Sequence, residues 1–177
     1  MKKVLLIFLM LSVLVFASCT NSNTANTSPS SNNSSQQTNT TNSASEKINV
    51  TVPDGWKAVE GSVLEHQYMK NTASFMIKKE AFSETTLDGV VAAAEGIFKQ
   101  SFTNYKAVGT PQSIKVGGKD AKKIIFTCEV GKLKMKYMYV YLFVGNDTYA
   151  ITFGDQQSTF DSLSADYQTI LNAITIK

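Results

Sequence analysis

Few residues of this chain are of types that do chemistry, and none stands in the spacing of a known catalytic or metal-binding motif. His66 is the only histidine, and a triad or a zinc site built on histidine needs partners at defined spacings. The sequence contains no His-Glu-x-x-His, Cys-x-x-Cys or Gly-x-Ser-x-Gly motif. His66 beside Glu65 could act as a lone base or a metal ligand, but the pattern favours a surface histidine on a strand. We therefore expect no catalytic residue, no metal site and no cofactor.

The chain has two cysteines, Cys19 and Cys128, which are too few for a disulfide framework. Cys128 alternates with Phe126 and Val130 on one face of a predicted strand. A thiol in such a position is a small buried hydrophobe. We expect it to be inert, although two neighbouring lysines leave a reactive thiol as the alternative.

Seven lysines stand close together in the second half of the chain: Lys115, Lys119, Lys122, Lys123, Lys132, Lys134 and Lys136. Only Asp120 and Glu129 oppose them, so the local charge is 7 − 2 = +5. Such a cluster could attract anionic lipid headgroups or a polyanionic wall polymer. The alternative is a solvated sheet edge, where lysines prevent edge-to-edge pairing. Every one of the 17 cations of the chain is a lysine, and the lack of arginine argues against sequence-specific binding to nucleic acid.

Aromatic residues offer a second kind of candidate surface. Tyr137, Tyr139 and Tyr141 recur at every second position, which aligns them on one face of a strand. They could stack against a sugar or another protein, but they are more typical of the apolar side of a sheet beneath a helix. Trp56, which follows a predicted turn, is expected to fill the core rather than to bind a ligand.

The N-terminal residues have the layout of a secretory signal peptide. Lys2 and Lys3 precede an apolar run over residues 4–17, which is shorter than the roughly 20 residues of a transmembrane helix. The stretch Val-Phe-Ala-Ser-Cys that ends at Cys19 resembles the bacterial lipobox. That resemblance implies a diacylglycerol on the Cys19 sulfur and cleavage before it, so that residues 1–18 are removed. Cleavage after Ala17, which would release a soluble protein, and retention of the segment as an uncleaved anchor are the alternatives.

Residues 19–46 are predicted to form a disordered linker behind the lipidated cysteine. Ser, Thr, Asn and Gln fill 23 of the 26 positions from 20 to 45, and none of these positions is charged. Such a segment has almost nothing to bury and cannot offset its ordering entropy. A flexible coil of this length spans roughly 25–30 Å. The composition changes at Lys47, and residues 47–177 are predicted to be one domain with a charge of 15 − 13 = +2.

The domain is predicted to be α+β, with an antiparallel β-sheet flanked by helices. We predict strands over residues 48–52, 64–70, 75–80, 122–130, 133–144 and 149–153, a helix over 87–102 and a helix over 160–174. The strand over 133–144 is apolar on both faces, so it should be central. Thr85 with Asp88, and Ser158 with Asp161, have the spacing of helix-capping pairs.

Short motifs across residues 47–177 resemble PsbP-like proteins. Pro53-Asp54-Gly55-Trp56 is similar to their opening motif. The stretches 118–126 and 149–153, and the residues Phe160, Ile170 and Leu171, are similar to their middle strand, closing strand and last helix. The resemblance implies the bacterial lipoprotein branch that is called DcrB-like, with no catalytic motif.

These observations together predict a non-catalytic binding or accessory module of the cell envelope. Acyl chains such as palmitate on Cys19 would anchor it to the extracytoplasmic face of the cell membrane. Its partner would be an envelope protein or polymer, and not nucleic acid. The alternatives are an envelope hydrolase with a site built from scattered residues and a small-ligand carrier with a pocket between sheet and helix.

Overall fold

The structure, a computed structural model, describes residues 47–177. The predicted signal peptide 1–18 and the predicted lipidation residue Cys19 with its linker 19–46 lie outside the described residues. Within 47–177 there are ten strands, two α-helices and one short 3-10 helix, as follows: β1 (Ile48–Asn49), β2 (Lys57–Ala58), β3 (His66–Lys70), β4 (Ala73–Glu80), α1 (Leu87–Ser101), β5 (Thr103–Ala107), β6 (Gln112–Val116), β7 (Lys119–Val130), β8 (Leu133–Val144), β9 (Asp147–Gln156), the 3-10 helix (Phe160–Leu163), α2 (Ser164–Ala173) and β10 (Thr175–Ile176).

Eight of these strands form one antiparallel sheet, which confirms the predicted α+β class. The order across the sheet is β2-β3-β4-β9-β8-β7, and β5 and β6 both pair with the outer edge of β7. The strands β1 and β10 form a separate two-stranded sheet. Reciprocal backbone hydrogen bonds between Lys47 and Lys177, at 2.6 and 3.0 Å, extend this pair and bring the two ends of the described chain together.

The centre of the sheet is buried on both faces because a helix packs on each side. On β8, Tyr139 and its alternate neighbours face α1, which contributes Val90 and Phe98. The intervening residues of β8, such as Val140, face α2, which contributes Ile170. The prediction that the strand 133–144 is central and apolar on both faces is confirmed.

The ends of several elements differ from the sequence-based predictions. The opening strand is two residues long, because the chain leaves its pairing with β10 after Asn49, although Val50 and Val52 still pack against the core. The strands β5 and β6 were not predicted. Most of their side chains are exposed, so the alternation between apolar and polar residues that marks a strand is weak there.

Both predicted capping pairs are wrong. The residue that caps α1 is Thr86, whose Oγ1 accepts a hydrogen bond from the Gly89 N–H at 3.1 Å. The second helix begins as the 3-10 helix and has no side-chain cap at either start. Asp161 instead forms an ion pair with Lys136 at 2.7 Å.

Candidate functional site

A surface groove of about 1050 Å³ lies where the described chain begins. Lys47 and Ile48 line it together with the turn between β8 and β9 and with His66 on β3. Its wall also contains Leu64 from the loop before β3 and Ile77 from β4. The volume is in the range of small-molecule sites, so the groove is the natural place to look for chemistry.

His66 holds two parts of the fold together at this groove. Its Nε2 lies 3.0 Å from the carbonyl oxygen of Ile48. Because a carbonyl oxygen only accepts, Nε2 must carry the proton in this contact. Nδ1 is buried and has no hydrogen-bond partner. The histidine lies on a strand, as expected, but its imidazole is partly buried and ties β1 to β3.

Among residues 47–177, no carboxylate forms a hydrogen bond with this imidazole, as a general base would require. Glu65 forms an ion pair with Lys47 at 3.3 Å instead. On the opposite wall, Lys79 pairs with Asp147 at 2.7 Å, and this hydrogen bond raises the pKa of Lys79. These charges of the groove are paired with one another, so they leave little net field to attract an ion.

Cys128 is buried as predicted, with 3% of its surface exposed. It lies on β7 in an aromatic cluster with Phe126, Met135 and Tyr137. Burial raises the pKa of its thiol to about 11. Because the thiolate is the nucleophilic form, we expect this cysteine to react slowly at neutral pH.

The tyrosine ladder lies beneath α1 and its flanking residues, as the sequence predicted. The ring centroid of Tyr139 is 4.8 Å from that of Phe98 on α1. Phe102 stacks on Tyr137, and Phe82 meets Tyr141 edge to face. Burial raises the pKa of all three tyrosines, to about 12 for Tyr139. These rings form a core layer and leave no open platform for a sugar.

Trp56 fills the core on the other side of the sheet, as predicted. It is 6% exposed and meets Phe75 and Tyr167 edge to face. Its indole N–H donates to Asp166 Oδ2 at 2.9 Å, and the ammonium of Lys70 donates to the same oxygen at 2.6 Å. These hydrogen bonds lower the pKa of Asp166.

Asp155 is a buried carboxylate that the sequence analysis did not single out. It is 1% exposed and accepts hydrogen bonds from Thr72 Oγ1, Thr159 Oγ1 and the Gln156 N–H, each at 2.7 Å. Two of these partners lie in turns, Thr72 between β3 and β4 and Thr159 just after β9. The carboxylate thus joins two turns, and no sequence motif marks it.

The seven clustered lysines do not form one patch. Lys115 and Lys122 lie on the α1 side of the sheet, where they pair with Asp120 and Asp88 at 2.7 Å each. Lys123, Lys134 and Lys136 lie on the opposite face, because they alternate with residues that face α1. The cluster seen in the sequence is therefore divided between two surfaces.

Within residues 47–177, no three His, Cys, Asp or Glu side chains are grouped so that they could hold a metal ion. None of the helices in this part is both long enough and apolar enough to cross a membrane.

Comparison with solved structures shows the fold to be PsbP-like. The chain is similar to LpqN of Mycobacterium tuberculosis, which is described as involved in cell envelope biogenesis, with a TM-score of 0.59 and 15% identity over 75% of this chain and 84% of that one. It is similar to PA94 of Pseudomonas aeruginosa, of unknown function, with a TM-score of 0.50 and 14% identity over 70% and 78%. It is also similar to the cyanobacterial PsbP of Synechocystis sp. PCC 6803, with a TM-score of 0.52 and 11% identity over 76% and 94%. No family model matches the chain, and neither does any curated protein. The solved structures therefore establish a PsbP-like α+β fold for residues 47–177.

Proposed function

We propose that the chain is a lipid-anchored module on the extracytoplasmic face of the cell membrane, and that it acts by binding and not by catalysis. One observation carries the second half of this proposal. The side chains best suited to chemistry are all used to hold the fold: His66 ties β1 to β3, Asp155 joins two turns, and Cys128 is buried with a raised pKa.

The anchor rests on the sequence that ends at Cys19. An apolar run behind two lysines, two small residues and then a cysteine is the order that a lipobox requires. One acyl chain gives only reversible membrane binding, whereas two hold a protein firmly. An envelope role is supported by the similarity in fold to LpqN, which is described as involved in cell envelope biogenesis.

Metabolic labelling with a fatty acid tests the anchor. The wild-type protein should carry the label, and mass spectrometry should find Cys19 as the first residue with diacylglycerol on its sulfur. The Cys19→Ala variant should carry no label and should not be cut before residue 19. An unlabelled wild-type protein that begins at Ser18 would show that an ordinary signal peptidase removes residues 1–17.

Complementation with a His66 variant tests the absence of catalysis. Cells that lack the protein should recover equally with the wild-type chain and with His66→Ala. The measured phenotype is whichever defect the deletion causes. A folded His66→Ala protein that fails to restore it would support the envelope hydrolase instead.

A small-ligand carrier is the second candidate, because the groove of about 1050 Å³ has apolar residues such as Ile48, Leu64 and Ile77 in its wall. Native mass spectrometry of the protein purified from its own membrane separates the two proposals. A bound small molecule of constant mass would favour the carrier. A protein without such a molecule would favour a module that binds larger partners.

A further inference from the structure

One part of the sheet is left uncovered on the α2 side. Helix α2 packs in the cluster that contains Phe75, Met138 and Phe153, which belong to β4, β8 and β9. The last four residues of β7, 127–130, lie beyond this cluster, whereas Ile125 still packs against it. There, Thr127 and Glu129 are partly exposed on the α2 side. Polar residues thus occupy positions that would be apolar if this part of the sheet were covered.

Lysines surround this uncovered part. Lys106 on β5 lies directly opposite Thr127, and Lys136 on β8 lies opposite it on the other side. Lys134 lies opposite Glu129. Directly opposed residues on neighbouring strands have Cβ atoms about 5 Å apart, so these side chains form adjacent rows. Lys123 lies on the same α2 side of the sheet, and Lys132 lies in the turn before β8. We call the four lysines Lys106, Lys123, Lys132 and Lys134 the basic sector.

The lysines of the basic sector have no ion-pair partner within 4 Å among the described residues, whereas Lys115, Lys122 and Lys136 each have one. Glu129 lies among them, but it forms no salt bridge within residues 47–177. Four ammonium groups around one carboxylate give the sector a formal charge of 4 − 1 = +3. The domain as a whole has a charge of +2, so its excess positive charge lies on this side of the sheet.

We propose that the basic sector binds a linear, phosphate-bearing polymer. Lysine ammonium groups act as mobile point charges and, unlike arginine forks, do not select one phosphate geometry. Lysines distributed over one side of a sheet therefore respond to charge density along a flexible chain. Repeated phosphates could contact successive lysines without a shaped pocket, although Lys132 and Lys134 also line an open surface groove with Gln156 and Gln157.

The position of Lys132 and Lys134 within the sector favours a polymer over the membrane to which Cys19 would be attached. This step rests on the proposed anchor. Lys47 lines the same groove as Gly145 at the far end of β8, whereas Lys132 and Lys134 lie at the near end. Strand β8 has twelve residues, so these ends are about 36 Å apart. The chain would enter from the membrane at one end while Lys132 and Lys134 lie at the other.

Binding to long-chain polyphosphate tests the proposal. We would measure the affinity of the full chain for polyphosphate in neutral detergent micelles. This measurement does not depend on the lipid anchor. The triple variant K106Q/K123Q/K134Q should bind on the order of 100-fold more weakly than the wild type at low salt. Its affinity should also vary less steeply with salt concentration, because fewer counterions are released.

The matched control is K57Q/K99Q/K177Q, which removes the same charge from exposed lysines outside the sector. The control should bind as the wild type does, and all three proteins should melt alike. Equal losses in both variants would mean that the polymer senses only net charge, and an unchanged sector variant would mean that it binds elsewhere. Either result would overturn the proposal.

Lysine footprinting decides between a polymer and a lipid surface. The full chain would be placed in zwitterionic vesicles and acylated with an amine reagent, and each lysine would be read by mass spectrometry. Polyphosphate should protect Lys106, Lys123 and Lys134 but not Lys57. Vesicles with anionic lipid and no polymer should leave all four reactive. Protection of the sector by anionic lipid alone would replace the polymer with the membrane.

Discussion

Side chains of types that could take part in catalysis have structural roles throughout the described domain. His66 donates to a backbone carbonyl, Asp155 accepts three hydrogen bonds, and Asp166 accepts from both Trp56 and Lys70. A buried polar group is costly unless it is paired. Each of these contacts therefore contributes to one folded arrangement, and none leaves an activated nucleophile or base at the surface.

The burial of Cys128 predicts a slow reaction with a thiol reagent. A thiol with a pKa of about 11 is almost entirely protonated at pH 8, and its 3% exposure also blocks the reagent. In the Cys19→Ala protein, Cys128 should label slowly when folded and completely in denaturant. A Thr127→Cys control with Cys128→Ala places the thiol on the partly exposed face and should label quickly without denaturant. Rapid labelling of native Cys128 would show that β7 is not held as described.

The contact between Trp56, Lys70 and Asp166 predicts a pH-dependent stability. Asp166→Asn should lower the free energy of unfolding at pH 7 by about 1–2 kcal/mol, because hydrogen bonds to a charged group are lost. The folded pKa of Asp166 lies below its ordinary value. Its stabilisation is therefore full above the unfolded pKa of about 4 and disappears as the pH falls through the folded pKa.

Urea unfolding of the wild type and of Asp166→Asn at a series of pH values measures this difference. Asp120→Asn is the control, because Asp120 also pairs with a lysine at 2.7 Å but on an exposed surface. That variant should unfold almost as the wild type does. A gap between wild type and Asp166→Asn that stays constant down to pH 2 would contradict the proposed role of the carboxylate.

Residues differ in how far the sequence predicts their roles. Cys128 was placed correctly because a period of two along one strand decides which face a residue occupies. Asp166 and Asp155 were not found. Their hydrogen-bond partners Lys70 and Thr72 are 96 and 83 positions away in the chain. Only the folded sheet brings such residues together.

At the scale of elements, long apolar segments were predicted well and short polar ones were not. The twelve residues of β8 carry enough alternation to fix their type and their central place. In contrast, β6 has one buried residue, and β10 has two residues in all. These short strands exist because a neighbour offers backbone hydrogen bonds, which a local pattern does not record.

The cap of α1 gives a test in which the chain supplies its own control. Thr86→Ala should destabilise the domain by about 1 kcal/mol, because the Gly89 N–H loses its acceptor. Thr85→Ala, the same change one residue earlier, should have little effect. Thermal unfolding of both variants measures the difference. A larger loss for Thr85→Ala would place the start of the helix one residue earlier, where the sequence pattern first suggested it.

At the scale of the whole molecule, the two ends of the described chain close on each other. The pairing of β1 with β10 is extended by the reciprocal bonds between Lys47 and Lys177. His66 attaches β1 to the main sheet, and Gly117 packs against Ile176, where a Cβ would lie 2.9 Å from the Ile176 side chain. The point at which the predicted linker joins the domain is thus held by contacts from three elements.

This closure makes a testable prediction about the domain boundary at residue 47. Brief digestion of the full chain with a nonspecific protease should cut within residues 19–46, where the composition predicts disorder. The product should be a stable fragment that begins close to Lys47. Deleting residues 175–177 removes β10 and leaves β1 without its partner, so the first cuts should then extend past Asn49 towards Trp56. Mass spectrometry of the fragments gives both boundaries. If the deletion left the boundary unchanged, the bond from His66 alone would be enough to hold β1, and the pairing with β10 would not protect the start of the domain.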